Sequence, residues 1–373
     1  MAERVLPWKR AAFNTAGVAT PQVARTRLFI GPVNSAGQGF AWARAAETLG
    51  DVAATSFMYR DRRDVFGYPA DQVVDTVYFR TNSRWRAAQR RAVRRRYSHV
   101  IVESGRQLFG VEESTVDQVR ELRAYGVNVA LLWHGSDIRV PSRHARREPD
   151  SPFARGFADT SRLEEIALRN QELMRELQLP TFVSTPDLLI DVPGATWLPV
   201  VVDADSWSTA GSAAPMQRPR PVVVHAPSNA GLKGSDRITT VMRRLHDDGL
   251  VEYREARGIP ASEMKAFYGD ADIVLDQFSL GIYGVAACEA MAAGRVVISH
   301  VAAEVRDAVH RLTGDALPVL QARADELEAV LRRVLSEPAA ARAAADAGRS
   351  FVRQHHNGAR SAEALRPFLS AAS

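Results

Sequence analysis

A strand, a glycine loop, a helix of small residues, a glycine stop and a second strand follow one another in residues 271–299, ADIVLDQFSLGIYGVAACEAMAAGRVVIS. Ile273–Leu275 is an apolar run bounded by acids, Gly281–Gly284 forms the loop, Val285–Ala293 reads as the helix, and Gly294 ends it before Val296–Ile298. Two buried strands joined through a helix predict a parallel α/β unit, with both faces of its sheet covered. Because the loop opens a helix, its backbone N–H groups can face a phosphate, and the helix dipole favours the anion. Glu289 is the single charged residue of that helix. Charged side chains are rarely buried without a partner, and a sugar diol is one such partner, because an ionised carboxylate accepts two hydroxyl hydrogen bonds.

Signals of the same kind run through the chain. Leu28–Gly31, Ala53–Met58, Val73–Phe79, His99–Glu103, Val127–Trp133, Phe182–Ser184 and Trp197–Val202 read as strands. Helices are expected over 82–96, 116–124 and 161–178, and an Arg- and Pro-rich polar stretch covers 139–160. Residues 204–220 are rich in Ser, Ala and Pro without periodicity, which reads as a linker. A second series starts at Pro221–His225, with a strand at 250–253 and helices over 235–247, 261–269, 324–335, 338–356 and 359–370. Domains over 1–203 and 221–356 are therefore expected, a division that 373 residues can sustain.

Composition narrows the class further. The chain is 46% hydrophobic and 24% charged, as in soluble globular proteins. No apolar run approaches the roughly 20 residues that span a bilayer, and the N-terminal MAERVLPWKRAAFNTAG has no sustained apolar region, so no secretory leader is expected. One cysteine, Cys288, leaves no internal disulfide and fits a reducing compartment, here a bacterial cytoplasm. The net charge of +5 favours anionic partners. Lys9, Lys233 and Lys265 are the only lysines, so the positive charge is almost all arginine.

Five groups of residues can carry chemistry. In HAPSNAGLKGSD, 225–236, a strand leads into a small-residue loop (Ser228, Asn229), and Lys233 stands before a helix that Ser235 can cap, a place suited to a diphosphate. In WHGSDIR, 133–139, His134 and Asp137 lie past a strand end, where open α/β sheets bind ligands; they can reach sugar hydroxyls or simply form a turn. NSAGQG, 34–39, opens a helix with Gly37 and Gly39 but lacks the dinucleotide-binding glycine spacing. Residues 84–96, RWRAAQRRAVRRR, from Arg84 to Arg96, form either a solvated face or a dock for an anionic membrane or lipid-linked acceptor; no aromatic platform accompanies them, so nucleic acid is not expected. Asp276, just before the Gly281 loop, can reach a cleft or cap the loop. Nothing here has zinc-ligand spacing, and no metal or cofactor is expected.

GIYGVAACEAMAAGRVVIS resembles the donor-site motif of glycosyltransferase family 4, a retaining family with the GT-B fold of two Rossmann-like domains facing across a cleft. Tyr283-Gly284 matches its aromatic-Gly pair, Glu289-Ala290-Met291 its second Glu, and Gly294 with Val296-Val297 its following strand. Lys233-Gly234 matches its Lys-Gly. The resemblance implies metal-independent hexosyl transfer from a nucleotide-diphosphate sugar to a sugar or lipid-linked acceptor, at a cytoplasmic site that can include the inner membrane face. It implies that Lys233 and the N–H groups near Tyr283-Gly284 hold the diphosphate, that Glu289 holds the ribose, and that 357–373 packs back on the N-terminal domain. The first Glu of the motif, the sugar contact, falls on Gly281. That departure leaves Asp276 as a substitute, and leaves open a non-catalytic binding protein, an epimerase or a hydrolase on the same fold.

Overall fold

The computed structural model describes residues 17–61, 63–211 and 213–371; the stretch read above for a leader lies almost entirely outside them. Among the described residues two sheets form, and every strand pair in them is parallel. The first contains β1 (Thr26–Gly31), β2 (Val52–Arg60), β3 (Gln72–Asp75), β4 (His99–Glu103), β5 (Asn128–Trp133), β6 (Thr181–Val183) and β7 (Thr196–Trp197). Its order is β3-β2-β1-β4-β5-β6-β7. The second contains β8 (Val222–His225), β9 (Glu252–Glu255), β10 (Ile273–Leu275), β11 (Val296–Ser299) and β12 (Leu320–Gln321), in the order β12-β11-β10-β8-β9.

Each order reverses direction once, between β1 and β4 in the first sheet and between β8 and β10 in the second. Where the connections diverge, they leave a crevice beyond the carboxyl ends of the strands, and open α/β sheets bind ligands there. The strands are built for burial on both faces: Val222, Val223, Val224, Ile273, Val274, Val296 and Ile298 are all essentially inaccessible.

Several elements differ from expectation. The third strand stops at Asp75, because its carboxylate caps a helix over Thr76–Thr81 by accepting from the N–H of Val77 at 2.8 Å and Tyr78 at 3.3 Å. The polar 139–160 stretch contains a helix, Pro141–Arg147, begun by a proline at its first position. Only Thr196–Trp197 of the 197–202 segment pairs as a strand; beyond it Val201 N–H donates to the Gln38 side chain at 2.6 Å. The 204–220 segment starts with a short helix, Ala204–Ser208, capped by Asp203, and is held to the second domain by Met216 N–H donating to Asp272 at 2.7 Å. A helix over Ala303–Thr313 was not anticipated, although Val305 and Val309 are a buried i,i+4 pair.

The last helix, Ala359–Leu369, leaves the second domain and buries Leu365, Phe368 and Leu369 against Leu28, Ile30, Trp42 and Ala46 of the first. His356 fixes the crossing point: its backbone carbonyl accepts from Val202 N–H at 2.7 Å, and its Nδ1 lies 2.8 Å from Val200 O.

Candidate functional site: two cavities at the switch points

Beyond β8 and β10 lies a cavity of about 250 Å³. Ser228, Lys233, Asp276, Gly284 and Glu289 of the second domain line it, joined by Ala36, Phe66 and Tyr68 of the first. A neutral histidine sets its floor. Burial holds His225 down to about 4, so its Nδ1 donates to Leu275 O at 2.9 Å and its Nε2 accepts from Ser235 Oγ at 2.7 Å. This ties the helix Ser235–Asp247, and Lys233 just before it, to the end of β10. Phe278 N–H donates to Lys233 O at 2.8 Å and closes the same joint.

Lys233 Nζ makes an ion pair with Asp276 Oδ1 at 2.6 Å. Glu289, on the helix Val285–Ala292, shares the cavity. Burial pushes its carboxyl up to about 8; Lys233 pulls against that rise and the Asp276 charge adds to it. One lysine thus faces two carboxylates, and at neutral pH the less neutralised of them keeps its proton. Tyr68 closes the wall opposite, its hydroxyl pushed up to about 12 by burial first and then by the charge of Glu289.

A second, larger groove of about 1180 Å³ lies beyond β1, β4 and β5. Ser35 lines this groove and Ala36 the cavity that holds Lys233, so the turn between them divides the two. His134 and Asp137 belong to the groove, and neither lines the cavity with Lys233. The Asp137 carboxylate accepts from His134 N–H at 3.0 Å, Gly135 N–H at 2.7 Å and Ser104 Oγ at 2.6 Å, so it shapes the turn and is not free for chemistry. His134 stacks on Trp42 with ring centroids 5.7 Å apart, and its Nε2 is 3.1 Å from Glu103 Oε1. Burial alone would lower its pKa, but the Glu103 hydrogen bond and charge reverse this, and the imidazole titrates above its ordinary value. The other Glu103 oxygen accepts from the N–H groups of Val33 and Asn34, both at 2.8 Å. This buried acid therefore couples the 34–39 loop to His134.

Other sequence candidates have structural duties. The Tyr283 ring is buried in the second domain's core, its hydroxyl 3.4 Å from His356 Nε2, and it does not line the cavity. Asn229 caps the helix Ala230–Lys233 through Leu232 N–H and lies outside the cavity lining. Gly37 takes φ +74°, and a Cβ there would press on the Tyr68 ring at 3.1 Å; Gly39 packs against Asn34. These two glycines shape the wall that Ala36 presents. Of the arginines in Ser83–Arg96, Arg90 pairs with Glu113 at 2.5 Å, Arg94 with Glu121 at 2.8 Å, and Arg86 with Glu112. Arg84, Arg91, Arg95 and Arg96 are exposed. Arg139 is buried against Asp187 at 2.5 Å.

Residues that sequence reading passed over join the two domains. Asp150 accepts from Arg237 at 2.6 Å and from Arg323, Glu148 lies 3.0 Å from His300 Nε2, and His144 Nε2 is 3.1 Å from Leu280 O. Glu148, Asp150 and His300 bring ligand atoms within 4.8 Å of one another, but the two guanidiniums already on Asp150 oppose a further cation. Two Asp-x-Asp strings occur and neither faces the cavity. Asp203 caps a helix through Ser206 N–H, Asp270 pairs with Arg218 and Arg254, and Asp272 accepts from Met216 and Val222 N–H.

The architecture has many solved counterparts. Sucrose-phosphate synthase from Thermosynechococcus elongatus superposes with a TM-score of 0.55 at 14% identity, over 92% of this chain and 98% of that one. The catalytic domain of starch synthase IV from Arabidopsis thaliana, bound to ADP and acarbose, gives 0.56 at 10% identity over 94% and 100%. HepE from Anabaena, in complex with UDP-glucose, gives 0.52 at 10% over 92% and 99%. The fold is therefore GT-B, with two Rossmann-like domains. Residues 228–366, a stretch that includes Lys233 and Glu289, match the family model described as "Glycosyl transferase-like". No curated protein matches the chain significantly in sequence.

Glu289 generates a pH prediction. Its carboxyl holds a proton up to about 8 in the folded chain, against about 4.5 as an ordinary side chain. Between those values the folded state binds more protons than the unfolded one, so this group makes stability fall as pH rises. Glu289→Gln should remove that part of the decline in denaturant midpoint between pH 5 and 8. Asp276→Asn should shift the Glu289 transition to lower pH. Parallel pH profiles for wild type and Glu289→Gln would contradict the assignment.

Proposed function

We propose that this protein is a retaining glycosyltransferase that moves a hexosyl group from a nucleotide-diphosphate sugar to a hydroxyl acceptor. The observation that carries the reading is the convergence of Ser228, Lys233, Gly284 and Glu289, from two separate segments, on one cavity at the switch point of the second sheet. In this reading the diphosphate displaces Asp276 from Lys233 and takes hydrogen bonds from the N–H groups at the start of the helix Val285–Ala292. The ribose hydroxyls donate to Glu289, which gives up its proton to receive them. Tyr68 and Phe66 cover the nucleotide from the first domain.

The sugar then points toward the groove that holds His134. Its Nε2 is committed to Glu103, which leaves Nδ1 for a sugar or acceptor hydroxyl. The leaving diphosphate takes the acceptor proton, so no protein base is required, and Lys233 stabilises the charge that develops as the glycosidic bond breaks. Asp276 is a modulator of Lys233 in this scheme and does not replace the motif's first Glu. No metal enters it.

Lys233→Ala should weaken nucleoside-diphosphate binding by about 1.5–3 kcal/mol, the scale of a charge-assisted hydrogen bond. The double variant Lys233→Ala/Asp276→Asn leaves no unpaired buried charge and should bind equally weakly. Calorimetry showing wild-type affinity in the double variant would remove the diphosphate role. Donor turnover measured with and without acceptors then separates transfer from hydrolysis, epimerisation or binding alone.

A peripheral contact with an anionic membrane would fall to Arg84, Arg91, Arg95 and Arg96, since Arg86, Arg90 and Arg94 are neutralised by their ion pairs. Exposed basic residues contribute about 1 kcal/mol each at such a surface, screened by salt. Flotation with anionic vesicles should be salt-sensitive and should disappear on charge reversal of Arg84, Arg91, Arg95 and Arg96. Flotation by neither protein, or equally by both, would assign the helix to solvent.

A further inference from the structure

The groove beyond β1, β4 and β5 is more than four times the size of the donor-side cavity, and its lining has a distinct chemistry. Arg80, Arg106, Arg162 and Arg169 all face it. Arg162 and Arg169 are seven residues apart on the helix Thr160–Leu177, with Ile166 and Leu173 between and beyond them at helical spacing. One face of that helix therefore presents cation and hydrocarbon in alternation.

The acids of the groove do not neutralise these arginines. Asp137 is consumed by the turn N–H groups and Ser104, Glu172 lies 3.0 Å from Arg175, and Glu176 lies 2.8 Å from Arg120. Among the described residues Arg80, Arg162 and Arg169 have no ion-pair partner, and Arg106 reaches only the Tyr59 hydroxyl at 3.3 Å. The N-terminus of the helix Thr115–Ala124 adds its dipole, with Ser114, Thr115 and Val116 in the lining. Two large apolar side chains stay open in the same groove, Val111 at 49% and Leu168 at 44% exposure.

Unpaired guanidiniums beside exposed aliphatic side chains match one ligand chemistry, an anionic headgroup carried on an apolar chain. We infer that this groove binds a phosphate-bearing amphiphile as the sugar acceptor, with the phosphate on Arg106, Arg162 and Arg169, the chain along Val111, Ile166 and Leu168, and a hydroxyl presented to His134. The acceptor role rests on the transfer reading above; the binding chemistry does not.

The test titrates the whole chain with decyl phosphate below its micellar concentration, with decyl maltoside as the neutral chain, and with inorganic phosphate as the bare anion. Decyl phosphate should bind at least tenfold more tightly than either control, and Arg162→Gln/Arg169→Gln should lose at least tenfold for decyl phosphate alone. The same double variant should bind nucleoside diphosphate as the wild type does, which separates the groove from the donor cavity. Equal affinity for the charged and neutral amphiphiles overturns the proposal, as does an unchanged affinity in the double variant. Inorganic phosphate binding as tightly as decyl phosphate makes the groove a free-anion site and overturns the amphiphile assignment. A wild type that binds decyl phosphate but no nucleotide overturns the acceptor role.

Discussion

The ion pair between Lys233 and Asp276 is the constraint on which the second domain's cavity depends. Asp276 is almost wholly buried at the end of β10, and a buried carboxylate needs a cation or a proton. Lys233 supplies the cation, brought there by the joint that His225, Ser235 and Phe278 make between the two strand ends. With that lysine engaged, Glu289 keeps its proton up to about pH 8. The cavity is thus close to neutral when empty, and it holds in reserve one lysine and one ionisable acid. A diphosphate with a ribose attached offers the partners that both lack: the phosphate competes with Asp276 for Lys233, and the diol favours the ionised Glu289.

The departure at Gly281 has a physical cause. The backbone there has φ +65°, and a Cβ would stand 2.8 Å from Glu148 Oε2 and 3.1 Å from the Ala302 methyl. Glu148 comes from the first domain and is held by His300 and Arg323, in the same ionic joint that binds Asp150 to Arg237 and Arg323. Space that could take a larger side chain at position 281 is filled by the contact between domains. The joint and the crossing of the helix Ala359–Leu369 hold the two sheets facing each other, which lets Ala36, Phe66 and Tyr68 help line a cavity built mainly by the second domain.

Much of the second domain was legible because β8, β10 and β11 are short, largely apolar runs set off by glycine or proline, so period and boundary coincide, whereas β9, with the sequence EYRE, sits two residues beyond the expected 250–253. The helices 235–247 and 261–269 and the strand Ile273–Leu275 fall where the pattern puts them. Ser228, Lys233 and Gly284 were legible as positions beside the cavity because their place in or next to loops directs them to the strand ends, and Glu289 because it is the one charge of the helix that follows. Side-chain direction was less legible. Tyr283 turns into the core, which residue spacing does not show, and Asp137 turns its carboxylate onto its own turn, one of the two readings the sequence left open. Tyr68 and the Glu148–Asp150 joint were invisible because they act across the domain boundary, at sequence separations where no periodic signal exists. Glu103 did leave a trace, an acid ending an apolar strand, and its complete burial shows what that trace meant.

The central claim is that one cavity, at the second sheet's switch point, exchanges an internal ion pair for a nucleotide. A crystal structure of the chain with a bound nucleoside diphosphate tests it most directly. The account predicts phosphate oxygens within hydrogen-bond distance of Lys233 Nζ, a lengthened Lys233–Asp276 separation relative to 2.6 Å, and both ribose hydroxyls on Glu289. A nucleotide bound elsewhere, or one bound here with the Lys233–Asp276 pair intact and Glu289 untouched, would contradict it.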